Sequence, residues 1–154
     1  MVTAADGVTE LSTKVYISAA YGRAEFIRLK VVPLFEQAGC EVVSRWHGVA
    51  KDPPSDPAKQ ARRNMNDLSV ADVLVFECIP TQAQRGSYWE CGYWYGREEW
   101  FAKEHGWSPG PTFGVFPQGV NTGGTIHDWL IPPVNKAEAW LDVVDMVHKW
   151  SKEN

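Results

Sequence analysis

The sequence predicts an α/β fold, a three-layer sandwich around a five-stranded parallel sheet. Short apolar runs recur along the chain, Val15-Tyr16-Ile17 and Val73-Leu74-Val75-Phe76 foremost, and read as strands buried on both faces. Stretches of helical periodicity alternate with them, as right-handed βαβ units require. A length of 154 residues, with 44% hydrophobic and 22% charged, suits one globular domain with a real core.

Residues 1–12 are small and polar and read as a flexible N-terminal segment; 13–154 form the domain. Strand one is Lys14–Ser18, followed by a turn at 19–23. From 24 to 38, Phe26, Ile27, Leu29, Val31, Leu34 and Phe35 recur at helical spacing; Pro33 kinks that helix and Gly39 stops it. Strand two spans 40–46, a proline-rich loop 51–57, and a polar helix 58–70. Strand three covers 72–78 and, after a polar loop, an aromatic-rich helix runs over 87–105. Strand four is 112–116, a short fifth strand is expected at 129–131, and an amphipathic helix over 136–152 closes the chain. The run 117–128 shows no clear element; it could be a lid or a partner-facing loop, and the sequence does not fix which.

The net charge of −4 argues against a nucleic-acid backbone as partner. Cys40, Cys78 and Cys91 lack metal spacing and read as reduced, buried thiols of a cytoplasmic protein. The four histidines show no ligand spacing, so no metal and no cofactor is expected, and no apolar run is long enough to span a membrane.

The chain is organised around the stretch from Asn66 to Gly96. Ser87-x-x-Glu90 fits a capping box, in which Glu90 would reach back to its own helix's amides. The same helix opens after a strand and loop, at the edge where doubly wound sheets bind ligands. Its Gly92 and Gly96 are expected to permit close packing on the sheet, and its stripe Trp89, Tyr93, Arg97 and Trp100 reads as core or subunit interface. Asp67 ends the preceding helix, where an acid opposes the helix dipole, which hints at a purpose beyond solvation. Asp72, opening strand three, reads as a turn anchor. Tyr16 sits mid-strand, where a phenol needs a hydrogen-bond partner. Gly22-Arg23 follows strand one and could hold an anion; Trp46 follows strand two and could stack on a flat ring or cover the end of the sheet. Eight tryptophans, clustered in the second half, predict a homo-oligomer, a dimer or higher, with the site near the interface.

These residues resemble the nucleoside 2-deoxyribosyltransferase-like family over roughly residues 14–100: a first strand with an inner tyrosine (Val15-Tyr16-Ile17-Ser18), then Asn66-Asp67 before Ala71-Asp72-Val73, then Gly86-Ser87, Glu90 and Gly92. The resemblance implies a flavodoxin-like fold and an enzyme that transfers or hydrolyses at the N-glycosidic bond of a nucleoside or a nucleoside 5'-monophosphate. It implies Glu90 as nucleophile, Tyr16 as the group orienting it, and Asp67 as the acid handling the base's proton. Ser18, Tyr21, Gly22, Arg23, Trp46 and Ser87 are the expected substrate-binding residues. The loop position where the transferases carry a further acid holds Gln84.

The chemistry asks for these groups without the name. Breaking an N-glycosidic bond passes through an oxocarbenium-like state, which a carboxylate beneath the sugar stabilises or traps. A second carboxyl protonating the base contributes about 10²–10⁴-fold. The two acids must titrate apart. Ser87 and the helix amino terminus are expected to favour ionised Glu90, and burial near the base to favour neutral Asp67.

Overall fold

The computed structural model describes residues 12–48, 56–79, 85–106, 110–117, 119 and 135–154. Its centre is a five-stranded, all-parallel sheet in the order β2-β1-β3-β4-β5, with β1 at Lys14–Ser18, β2 at Glu41–Val42, β3 at Val73–Glu77, β4 at Thr112–Val115 and β5 at Asn135–Ala137. This is the strand order of a flavodoxin-like sandwich. Helix α1 (24–37) and helix α4 (Trp140–Glu153) meet through Phe35 and Trp140, ring centroids 6.5 Å apart. Helix α2 (Pro57–Ser69) and helix α3 (Arg85–His105) are tied by Arg97 Nη1 donating to the Leu68 carbonyl at 3.2 Å.

The central strands form where their side chains demand it. All five residues of β3 are buried, as a strand covered on both faces must be. Register pairs Tyr16 with Leu74 and Ser18 with Phe76. Asp72 anchors the entry to β3, as its position suggests: its Oδ2 accepts from the Lys14 amide at 2.8 Å. The expected disturbance at Pro33 is a π-helical turn, Ile27–Val31, just before it. Proline has no N–H to return to the turn above, and the wider turn takes up the misfit. Gly39 ends α1 at φ 80°, with the Cys40 amide reaching the Phe35 carbonyl at 3.0 Å. All three cysteines are buried and outside any disulfide.

Four expectations need correction. Strand two is only Glu41–Val42, because side chains then take over the pairing: Ser44 Oγ accepts from the Ile17 amide at 3.1 Å, and the Trp46 indole donates to the Ile17 carbonyl at 2.7 Å. The closing helix starts at Trp140, and the residues expected to open it form β5 instead. Gly92 and Gly96 do not bring α3 onto the sheet: both face solvent, and a Cβ at either meets nothing within 4 Å. Of the aromatic stripe, Trp89, Tyr93 and Trp100 are exposed rather than core, and Trp94, with Cys91, faces the sheet instead. The expected N-terminal segment apart from Ser12, the strand at 129–131, Gln84 and nearly all of the 117–128 run lie outside the described residues.

Packing does require a glycine at Gly110. A Cβ there would lie 2.9 Å from the Asp72 carbonyl oxygen and 2.9 Å from the Trp94 ring. Gly110→Ala is expected to destabilise the protein by about 1–3 kcal/mol, read by urea denaturation.

Candidate active site

The strand order reverses between β1 and β3, so the crevice beyond their carboxyl ends is where such a sheet places a ligand. β1 delivers Tyr16 and Ser18, and α3 delivers Ser87 and Glu90. The Tyr16 hydroxyl donates to Glu90 Oε1 at 2.7 Å, and Ser18 Oγ donates to Glu90 Oε2 at 2.5 Å. Ser18 Oγ also lies 3.0 Å from Ser87 Oγ. Both carboxylate oxygens are thus held by hydroxyls of one strand, across 72 and 74 residues of sequence.

This geometry decides against the capping box. α3 begins at Arg85, so Glu90 lies beyond its first turn, and Ser87 turns towards Ser18. The carboxylate's hydrogen bonds among the described residues go to β1, not to its own helix.

Burial pushes the Glu90 carboxyl above its ordinary value, while the hydrogen bonds from Ser18 and Tyr16 pull it back towards ionisation. The expected help from Ser87 does not reach Glu90 directly. Burial, then the charge of Glu90, drives the Tyr16 phenol far up, so it stays protonated and acts as a donor. Tyr16→Phe removes one donor to the carboxylate and is expected to raise the Glu90 pKa further. The alkaline shift of the ionised form's onset, followed in a Glu90 carboxyl NMR titration against pH, checks it.

Asp67 is buried in the last turn of α2. Its carboxylate accepts from the Arg45 amide at 3.1 Å and from Arg45 Nε at 2.9 Å, and is bridged by Arg45 Nη2. That pair explains an acid placed against the helix dipole. Asp67 is not bonded to Glu90, but its charge reaches Tyr16 and helps to lift the phenol. Tyr16, Ser18, Ser87 and Glu90 therefore meet directly, with Asp67 in electrostatic range.

The remaining expected residues are less united. Arg23 is turned onto Glu77, Nε to Oε1 at 2.8 Å and Nη2 to Oε2 at 3.0 Å, and lies over the Phe26 ring. Glu77, fully buried at the end of β3, also accepts from the Trp140 indole at 2.8 Å. Tyr21 and Gly22 are exposed on the turn after β1. Gly22 needs no special backbone, since its φ is not positive. Trp46 is buried with its N–H engaged, so it covers the end of the sheet. Sequence reasoning missed the roles of Arg45 and Glu77. The legible signal for Glu77 was an acid closing an otherwise apolar strand. Arg45 carried no comparable local signal.

No family model and no curated protein matches the chain. The family resemblance therefore rests on the residues just placed. Among the described residues, no helix is long and apolar enough to cross a membrane.

Proposed function

We propose that the protein acts on the N-glycosidic bond of a nucleoside or nucleotide, with Glu90 as nucleophile, in the manner of the nucleoside 2-deoxyribosyltransferase-like family. The observation that supports this is the pair of hydroxyl donors, Tyr16 and Ser18, on the two oxygens of one buried carboxylate. A carboxylate so held attacks the anomeric carbon without first having to be oriented. The bond from a Glu90 oxygen to the anomeric carbon forms as the carbon–nitrogen bond breaks, and the base leaves with the electron pair. Water or an incoming base then takes the sugar from Glu90. Asp67 handles the base's proton, and for that it exchanges Arg45 for the base; the Arg45 side chain is 55% exposed.

Engagement of Arg23 by Glu77 favours a nucleoside over a 5'-monophosphate, since a phosphate would compete with a buried carboxylate for the guanidinium. Self-association belongs to the same reading. Incubation with deoxynucleosides and nucleoside 5'-monophosphates, with and without acceptor bases, tests it. Base release or exchange that disappears in Glu90→Ala supports the proposal. Tight binding without turnover in the unaltered protein replaces it with a nucleotide-binding module.

A further inference from the structure

One cation near the crevice lacks a counterpart. Helix α2 exposes Lys59, Ala61, Arg62 and Asn66 to solvent but half-buries Arg63. The Arg63 Nε is shut away from solvent with no hydrogen-bond partner. The ion pairs among the described residues do not include it either. A donor so placed has lost its hydration and gained no bond in return. Its place in the fold suggests what the partner is. Arg63 is four residues before Asp67 on α2, so the two side chains are neighbours on one face of the helix. Asp67 accepts from the Arg45 amide, and Arg45 follows Val42 by as many residues as Ser18 follows Val15, the register partner of Val42. Asp67 therefore lies near the level of Ser18, at the carboxyl end of β1. α2 runs back from that edge towards the start of β3, so Arg63 stands one turn, about 6 Å, farther out over the crevice.

We propose that Arg63 donates to the ring carbonyl of the base, and that the substrate is the nucleoside of a 6-oxopurine, hypoxanthine or guanine. The inference rests on the reading of Glu90 and Asp67 given above. Arginine has N–H donors and no acceptor, so its partner must be an acceptor. A phosphate is the wrong one, because it would lie against the neighbouring Asp67 carboxylate. A carbonyl carries no full charge and suits both groups. In a 6-oxopurine, N7 and O6 share one edge, so Asp67 serves the proton at N7 and Arg63 the oxygen beside it. Adenine presents an amino group there, and donor would face donor. The carbonyl next to the glycosidic nitrogen of a pyrimidine lies down by the sugar, not a turn farther out.

The same contact has a part in the reaction. As the bond from the anomeric carbon to N9 breaks, its electron pair passes into the purine, and part of the charge appears on O6. A guanidinium already at O6 stabilises that charge where it develops. The proton that neutralises the departing base reaches N7 from Asp67, which takes it from solvent once the base has displaced Arg45.

For the full chain, kcat/KM with 2'-deoxyinosine is expected to exceed that with 2'-deoxyadenosine by on the order of 10²-fold. Arg63→Met should erase most of that ratio, chiefly through a loss on deoxyinosine. Its circular dichroism melt should be unchanged or higher, since the Arg63 Nε makes no bond that folding needs. Arg63→Lys keeps a donor and should keep part of the preference. A second measurement needs no turnover. Calorimetric titration of Glu90→Ala with free hypoxanthine and free adenine should show hypoxanthine binding more tightly, and Arg63→Met added to Glu90→Ala should remove the difference. If no nucleoside is turned over and that binding preference holds, the chemistry at Glu90 falls and the role of Arg63 stands. Equal affinity for the two bases overturns the role of Arg63, with or without turnover. So does a preference for hypoxanthine that survives Arg63→Met.

Discussion

Glu90→Ala is expected to lower base release or exchange by on the order of 10³-fold or more, because it removes the carboxylate proposed to form the covalent intermediate. The conservative replacement separates chemistry from architecture. Glu90→Gln keeps the shape and can still accept from Tyr16 or Ser18, but it cannot attack the sugar. It should be as inactive as alanine and more stable than the parent near neutral pH. The folded Glu90 pKa is raised, with burial the largest cause. A carboxyl raised on folding binds its proton more tightly in the folded than in the unfolded state. The parent's stability should therefore fall as pH climbs from the ordinary value of 4.5 through the raised folded value, and level off above it. Glu90→Gln should lack that slope, with Tm higher by roughly 2–4 °C for each kcal/mol of relieved charge burial. Melting curves across pH for both proteins check this, and turnover by Glu90→Gln at the parent's rate would sink the nucleophile assignment. Such an exchange of stability for reactivity is what the proposed role of this buried carboxylate entails.

The parts of this structure that could be read in advance are those where one residue type leaves few options. A strand covered on both faces must be an unbroken apolar run, so Lys14–Ser18 and Val73–Glu77 were legible. β5 is Asn135-Lys136-Ala137 at the sheet's edge, where exposure permits a sequence with no strand signature. β2 was overextended because Ser44 and Trp46 satisfy β1 through their side chains, which no backbone periodicity encodes. The site followed the same division. A phenol inside a central strand had to find a partner, and Tyr16 finds it in Glu90. The Ser87 and Glu90 spacing fitted a capping box equally well, and only the start of α3 at Arg85 separates the readings. The pairs Arg45–Asp67 and Arg23–Glu77 join residues 22 and 54 positions apart, and a contact of that kind leaves no local mark.

Arg23→Ala is expected to destabilise the fold rather than to weaken substrate binding. The guanidinium makes two hydrogen bonds to Glu77, whose side chain is fully buried, while Arg23 itself is only 25% exposed. Breaking a buried ion pair by removing one partner costs about 3–5 kcal/mol. The Trp140 indole still donates to Glu77, so the lower end of that range applies. For a chain of this size a loss of about 3 kcal/mol lowers Tm by roughly 6–12 °C. Adding Glu77→Gln removes the buried charge, and the double variant should recover much of the loss, a coupling that a double-mutant cycle measures. The opposite pattern has a definite meaning. If Arg23→Ala left Tm unchanged and raised KM for 5'-monophosphates alone, Arg23 would be the phosphate's ligand, with Glu77 its resting partner in the empty site. The substrate would then be a nucleotide, since a guanidinium that leaves a buried carboxylate needs an anion of equal or greater charge to receive it.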